Sequence, residues 1–189
     1  MRIDAVGREL EGAVLTLTST PPKNSVLHQV AEEVRGMASA YHRDGSAFFE
    51  RGDLVNALAA YSYALGWIEG GRHLGLVSLA GRADLPCFTE RMPEILQSML
   101  EEKTDRYCSL LKRGLLALDC AAERDTALRR AALHFMRVAE DMVTAGSEYH
   151  RSGDAENALA CYSYGFAWLD AGVRSGLFRI IQDRDLFTI

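Results

Sequence analysis

The sequence carries one stretch twice, and this duplication decides the fold. The first copy is GDLVNALAAYSYALGWIEGG, residues 52–71, and the second is GDAENALACYSYGFAWLDAG, residues 153–172. Both copies keep Gly-Asp, Asn-Ala-Leu-Ala, Tyr-Ser-Tyr and Trp in the same order without a gap, and the numbers of counterpart residues differ by 101. Repetition at a fixed offset is typical of proteins built from repeated structural units. The chain is therefore expected to contain one unit twice.

Each copy predicts the end of one helix and the start of another. Gly52 can end a preceding helix in a left-handed conformation, and the Asp53 carboxylate can then accept hydrogen bonds from the first turn of the next helix. Gly153 and Asp154 repeat this arrangement. We interpret these four residues as structural caps. The helix that follows has so little polar surface that it should be the most buried one of its unit.

Helical periodicity continues on both sides of each copy. Apolar residues recur with the spacing of one helix face before the first copy, and again before the second copy. The end of the first central helix is loosened by Gly70, Gly71 and Gly75, and a short helical extension through Leu79 is expected after it. These patterns predict an all-α fold of two three-helix repeats, packed as a helical bundle with pseudo-twofold symmetry. The expected organisation is a first repeat over 1–80, a linker over 81–93, a second repeat over 94–178 and a C-terminal tail over 179–189.

Composition limits the class of protein. The chain has 48% hydrophobic and 25% charged residues, which is typical of a globular protein, and its formal net charge is -5. Nucleic-acid binding is not expected, because no basic face is indicated. No apolar run approaches the roughly 20 residues that span a bilayer, so no membrane association is expected. The four cysteines form no C-x-x-C pair and no zinc-ligand spacing, which favours free thiols in a cytoplasmic protein.

The duplicated motif resembles an archaeal helical-bundle domain family of unknown function, which normally has one such unit per chain. Residues 41–76 match its signature closely, with Asp44, Gly52, Asp53, Asn56, Ala57, Tyr63, Gly66, Trp67 and Gly71 in place. Residues 146–177 match less well, since Ala145 stands at the position of Asp44, Gly165 replaces Ala64 and Ala167 replaces Gly66. The resemblance implies a helical fold and an archaeal setting. It implies no particular activity.

Aromatic and acidic residues recur at the same places in both central helices. They form a candidate pocket or interface, although packing in the core explains the same pattern. Glu69 and Asp170 lie near helix C-termini, where negative charge is mildly unfavourable, so each is expected to pair with a neighbouring arginine, Arg72 or Arg174. The candidate residues are Tyr63, Trp67, Glu69, Tyr164, Trp168 and Asp170.

The sequence contains no recognisable catalytic motif. Phosphate loops, zinc-protease motifs and nucleophile elbows are absent from it, so no catalytic residue, cofactor or metal is predicted. Arg129 and His134 weakly resemble the arginine-histidine motif of a class of helical ribonucleases, but the first copy has no counterpart. The leading interpretation is a non-catalytic protein-interaction or assembly module that binds a protein partner or forms a homo-oligomer. The alternatives are a small-molecule-binding protein with an aromatic pocket between helices, and an RNA-acting protein.

Overall fold

A computed structural model describes residues 1–81 and 83–187 of the chain. Three long helices form the first half and three form the second. The helices are α1 (Ile3–Thr16), α2 (Val26–Glu50), α3 (Leu54–His73), α4 (Glu94–Leu116), α5 (Ala127–Arg151) and α6 (Ala155–Arg174). Short strands are β1 (Thr18–Ser19), β2 (Val77–Ser78), β3 (Leu118–Cys120) and β4 (Phe178–Ile180), and a 3-10 turn covers Arg184–Leu186. The predicted fold class is confirmed.

The Gly-Asp step joins two helices in each half in the same way. Gly52 has a positive φ of 77° and Gly153 one of 79°, a backbone conformation that glycine adopts without strain. Asp53 then accepts a hydrogen bond from the Asn56 backbone N–H at 3.2 Å, and Asp154 accepts the equivalent bond from residue 157 at 3.2 Å. The duplicated motif therefore sets the turn into α3 and into α6.

Two short ribbons, which periodicity did not reveal, close the ends of the halves. Strand β1 pairs antiparallel with β2, and β3 pairs antiparallel with β4. The expected helical extension through Leu79 is wrong. Gly75, with a φ of 68°, ends α3, and the Leu76 N–H bonds back to the Gly71 carbonyl at 2.9 Å. The chain then turns away, and Val77 becomes available to pair with Ser19 in β1.

Helices α3 and α6 form the centre of the bundle and pack on each other through counterpart residues. A Cβ atom built on Gly66 would lie 2.6 Å from the Cβ of Ala167 and 2.6 Å from the Tyr164 carbonyl oxygen. A Cβ on Gly70 would lie 3.3 Å from the Cβ of Ala171. Residues that face their own counterparts lie on a symmetry axis. The pseudo-twofold axis therefore runs between these two helices.

The outer helices pack on the central ones through a repeated glycine-tyrosine contact. The Tyr61 ring of α3 covers Gly45 of α2, and a Cβ there would lie 2.6 Å from the ring. Tyr162 covers Gly146 in the same manner. The tyrosine hydroxyls also approach Ser46 at 3.3 Å and its counterpart, residue 147, at 3.4 Å. The glycines in the apolar stripes thus make room for a ring.

The segment between α3 and α4 lies along the body of the protein. Asn157, in the first turn of α6, accepts from the Phe88 N–H at 2.7 Å and donates to the Phe88 carbonyl at 2.8 Å. At the other end of the chain, Phe187 stacks on Phe166 with ring centres 5.9 Å apart. Ile189, the last residue of the predicted tail, lies outside the described residues. Within the described ranges no helix combines the length and apolarity needed to cross a membrane.

Candidate functional site

The six residues of the candidate pocket or interface separate into two groups of three. Helices α3 and α6 run side by side, so each acidic residue belongs with the aromatic residues of the opposite helix. The groups are Asp170 with Tyr63 and Trp67, and Glu69 with Tyr164 and Trp168. They are counterparts in the duplication, but their surroundings differ.

The first group is sealed in the core, and with Tyr41 it forms what we call the closed site. The Tyr63 hydroxyl donates to Asp170 Oδ2 at 2.5 Å, and both Asp170 and Trp67 are 0% exposed. The Tyr41 ring packs against Tyr63 with centroids 4.3 Å apart. Burial raises the pKa of Tyr63 well above its ordinary value, and the nearby Asp170 charge adds to this effect. The closed site is thus filled by the protein's own phenols.

The second group lines an accessible depression of about 600 Å³ between α3, α5, α6 and β2. Tyr164 and Trp168 are buried in its floor, whereas His73, Asp84 and Asp141 are exposed at its rim. We call this depression the open cleft. Its lining residues are Glu69, Arg72, His73, Val77, Ser78, Leu79, Asp84, His134, Val138, Asp141, Met142, Tyr164 and Trp168. Its volume lies within the usual range of small-molecule sites.

Aromatic rings form a continuous group on one side of the open cleft. His73 and His134 stack with centroids 3.9 Å apart and planes 11° from parallel. His134 meets Trp168 edge-on at 5.7 Å, and Trp168 lies 6.2 Å from Tyr164. Behind them, Phe135 holds Trp168 in a T-shaped contact at 4.7 Å. These rings offer both faces and edges to a molecule in the cleft.

Glu69 has different partners from its counterpart Asp170. Arg72 Nη1 lies 2.5 Å from Glu69 Oε1, and the Ala83 N–H donates to the same oxygen at 3.3 Å. The predicted pairing of Glu69 with Arg72 is therefore present. In the other half, Arg174 Nη1 lies 3.7 Å from Glu33 Oε2. The Glu69 carboxylate anchors the chain after β2 at the edge of the open cleft.

Two pKa shifts describe the electrostatics of the open cleft. Burial raises the pKa of Tyr164, and the charges of Glu69 and Asp84 raise it further. The Trp168 indole lowers the pKa by more than either charge raises it, although its buried N–H has no acceptor in full hydrogen-bonding geometry among the described residues. Partial burial is the main cause that lowers the pKa of His73, and the neighbouring His134 adds a smaller decrease. At neutral pH Tyr164 is thus a neutral phenol and His73 a neutral ring.

A few substitutions between counterpart positions distinguish the two sites. The cleft-lining Met142 stands where the closed site has the Tyr41 ring. The stacked histidine pair stands where the other half has an arginine and a glutamate. The counterpart pairs are Met142 with Tyr41, His134 with Glu33, His73 with Arg174, and Glu69 with Asp170. Met142 is smaller than Tyr41, and this difference leaves space on the open side.

The sequence predicted the residues in the floor of the open cleft but not those at its sides and rim. Tyr164, Trp168 and Glu69 were predicted from their recurrence in both copies. His73 and Met142 were not, because they do not recur. No sequence pattern marked these two positions, because the residues on either side of each also differ between the copies.

The structure does not bring Arg129 and His134 into one site. Arg129 Nη1 donates to the Ala122 carbonyl at 3.4 Å and lies in a shallow depression at the start of α5. His134 faces the open cleft, where it stacks on His73. Five positions apart on a helix, the two side chains point in different directions. Their spacing in sequence therefore does not create a shared pair.

Other clusters offer fewer groups for binding. Within residues 1–81 and 83–187, no three His, Cys, Asp or Glu side chains lie close enough together to hold a metal ion. A second depression, of about 570 Å³, lies between α1 and α2 above Tyr61. Its Ser46 hydroxyl donates to the His42 carbonyl at 3.0 Å and accepts from Tyr61, so the hydroxyl serves helix packing. The open cleft is the more developed recognition surface.

Comparison with known proteins gives one relation. The sequence model of DUF357, described as a protein of unknown function, matches residues 7–77 and 106–178. The two matches together cover more than half of the chain, and each includes one Gly-Asp motif. No curated protein and no solved structure gives a significant match. The chain therefore belongs to the DUF357 family, and it carries the family's domain of unknown function twice.

Proposed function

We propose that this protein is a non-catalytic binding module whose single ligand site is the open cleft. The observation that carries the proposal is the difference between two duplicated sites. The closed site has its phenols and its acid satisfied by one another, while the equivalent groups of the open cleft line a space of about 600 Å³. A small molecule is the occupant that this volume favours.

The ionisable groups of the open cleft suit recognition better than proton transfer. Tyr164 keeps its proton at neutral pH because burial and negative neighbours raise its pKa. Glu69 is held by Arg72 and by the Ala83 N–H. A general acid or base works best with a pKa near the working pH and a free path to the substrate proton. We therefore assign these groups to binding and orientation.

A variant that closes the cleft tests this proposal. Met142→Tyr installs the phenol that its counterpart Tyr41 supplies in the closed site. A library of metabolites is screened by thermal shift against wild type and this variant, with Met142→Leu as a control that nearly keeps the side-chain volume. We expect compounds that stabilise wild type and Met142→Leu to lose their effect on Met142→Tyr, since only ligand binding to the folded state raises stability. If no compound separates wild type from Met142→Tyr, the proposal is wrong.

A second candidate function is self-association, which was the leading interpretation of the sequence. Its support is a set of exposed leucines at counterpart positions. Leu15 is 78% exposed and its counterpart Leu116 is 70% exposed, while Leu27 and Leu128 are 59% and 61% exposed. Each of these leucines offers an apolar contact to another protein, and exposed apolar surface is what protein–protein interaction sites use. A second copy of this chain would present the same surface to it.

Light scattering coupled to gel filtration tests self-association. We expect wild type to elute as a dimer and a variant with Leu15, Leu27, Leu116 and Leu128 all changed to Ser to elute as a monomer. Circular dichroism serves as the folding control, because these side chains lie outside the core. A monomeric wild type at high concentration would contradict this candidate. It would leave the binding role of the open cleft unaffected.

The cellular setting is also a proposal. We infer a cytoplasmic protein, because the four cysteines are free thiols and a reducing compartment keeps them so. The archaeal setting rests on the resemblance of the duplicated signature alone. We further propose that residues 1–80 and 94–178 are the two repeats, joined by a linker over 81–93. Limited proteolysis that first cuts within 81–93 would support this division, and a first cut inside either helical hairpin would overturn it.

A further inference from the structure

We propose that the open cleft binds a planar aromatic ligand that carries a hydrogen-bond donor and a positive charge, such as an arylalkylamine. This inference rests on the proposed function and names its ligand class. It is argued from what fills the closed site, from the rings that line the open cleft and from its charges.

The closed site shows which group its duplicated framework accepts. The Tyr41 ring lies 4.3 Å from the Tyr63 ring, and its hydroxyl interacts with the Tyr63 hydroxyl beside Asp170. Tyr107 of α4 adds a second phenol to this group. The counterparts of Tyr41 and Tyr107 in the other half are Met142 and Val6. Val6 does not line the open cleft, so the phenol missing from the cleft is the one that Tyr41 supplies on the closed side.

The remaining groups of the open cleft fit a ring in that space. Tyr164 occupies the position of Tyr63, so a ligand ring can stack on it as Tyr41 stacks on Tyr63. Trp168 and the stacked His73 and His134 provide further aromatic surface nearby. The Glu69 carboxylate stands at the position where Asp170 accepts a hydrogen bond from a phenol, and it can accept a hydrogen bond from a donor on the ligand.

The charged residues around the open cleft favour one sign of ligand charge. Among its described lining residues are the carboxylates of Glu69, Asp84 and Asp141, and one guanidinium, that of Arg72. Arg72 is already bound to Glu69. A cation gains from the carboxylates and from the faces of the tyrosine and tryptophan rings, whereas an anion meets net negative charge.

The test uses tyramine as the probe, a phenol that carries an ammonium group. The two tryptophan indole N–H signals of the wild-type protein are followed by NMR during titration, and Trp168→Phe assigns them. We expect saturable movement of the Trp168 signal with a Kd of about 1 mM or tighter, while the Trp67 signal, buried in the core, stays in place. The anion 4-hydroxyphenylacetate and the non-aromatic cation cyclohexylmethylamine should each bind about tenfold more weakly.

Two variants and their control locate the binding. Met142→Tyr should abolish the movement of the Trp168 signal. Asp141→Asn, a change at the exposed rim, should weaken tyramine binding several-fold, and the neighbouring exposed Glu140→Gln should not.

The outcomes distinguish the ligand class from the proposed function. Tyramine binding that survives Met142→Tyr, or 4-hydroxyphenylacetate binding as tight as tyramine, overturns the ligand class. Absence of a tyramine response overturns it too, and the proposed function then still stands if the library screen finds compounds that separate wild type from Met142→Tyr.

Discussion

Tyr63 and Tyr164 occupy the same position in the two copies of the motif, but they face different acids. Tyr63 donates to the fully buried Asp170 at 2.5 Å. Tyr164 lies beside Glu69, which is one methylene longer and reaches Arg72. One pair therefore contributes to the core, while the other lines an accessible cleft.

The difference teaches how a duplicated fold can have a single site. The symmetric packing of α3 on α6 keeps both halves in register, so the framework of each site is retained. Replacement of the Tyr41 phenol by Met142, and of an ion pair by two histidines, then opens one side only. The binding role proposed for the open cleft would account for its looser packing, because function commonly costs stability.

The largest expected effect comes from a change on the pseudo-twofold axis. Gly66→Ala should lower the free energy of unfolding by about 3 kcal/mol, because overpacking at a helix contact is costly. The new Cβ would lie 2.6 Å from both the Ala167 Cβ and the Tyr164 carbonyl oxygen. Adding Ala167→Gly should restore part of the loss, since it removes the first of these clashes. Urea unfolding of the single and double variants measures both effects.

A second glycine provides the control for this prediction. Gly12 is exposed in α1, and a Cβ there would meet nothing within 4 Å. Gly12→Ala should therefore stabilise the protein by up to about 1 kcal/mol. If Gly66→Ala does not lower the free energy of unfolding relative to Gly12→Ala, α3 and α6 are not tightly packed at the axis. Their contact then does not fix the relative position of the open and closed sites.

The next effect compares the two tyrosines directly. Tyr63→Phe should cost about 2 kcal/mol, since it removes a hydrogen bond to a buried carboxylate. Tyr164→Phe should cost roughly 0.5 kcal/mol, a typical value for a mild change, because Glu69 keeps its bonds to Arg72 and Ala83. Chemical unfolding of both variants gives the two values. Equal losses would show that the open cleft is as dependent on its phenol as the closed site.

The fold was predictable because each copy of the duplicated motif determines structure through residues that are close together in the sequence. Gly52 and Asp53 fix a turn through their own backbone and the next turn of helix, and residues 153 and 154 repeat it. The ribbons were not predictable, since strands of two or three residues show no alternation. Their pairing also depends on segments far apart in the chain, such as Thr18 and Ser78.

The candidate site was predictable only in part, for a related physical reason. Recurrence identified Tyr63 and Tyr164 as equivalent, but their accessibility depends on residues of α2 and α5 that pack across the bundle. Tyr41 and Met142 differ in volume, and this difference closes one site and opens the other. No local pattern reports which side chain fills a space formed by three helices. A comparison of counterpart residues shows which side chain fills this space only after the packing of the helices is known.

The smallest expected effect is a pH dependence of the free energy of unfolding, which arises from the stacked histidine pair and not from its charged counterpart. The pKa of His73 lies below its ordinary value of 6.5, first because of partial burial and then because of His134. Between pH 6.5 and the folded-state pKa, His73 is mostly protonated in the unfolded chain but mostly neutral in the folded protein. The free energy of unfolding should therefore be highest above about pH 6.5 and should fall as pH drops toward the folded-state pKa. The counterpart positions 174 and 33 hold an arginine and a glutamate, so the other half has no histidine pair to produce this dependence.

An NMR titration of the histidine ring signals measures this effect. In His134→Gln the pKa of His73 should rise, but only part of the way to its ordinary value, because burial is the larger cause of the shift. The loss of stability between about pH 7.5 and pH 5.5 should shrink in the same variant. Since His73 is exposed at the rim, solvent screening keeps this change smaller than the tyrosine effects. A His73 pKa at or above its ordinary value in wild type would mean that burial and the stacked neighbour do not disfavour the charged form of His73, and a charged His73 would repel the cations proposed as ligands.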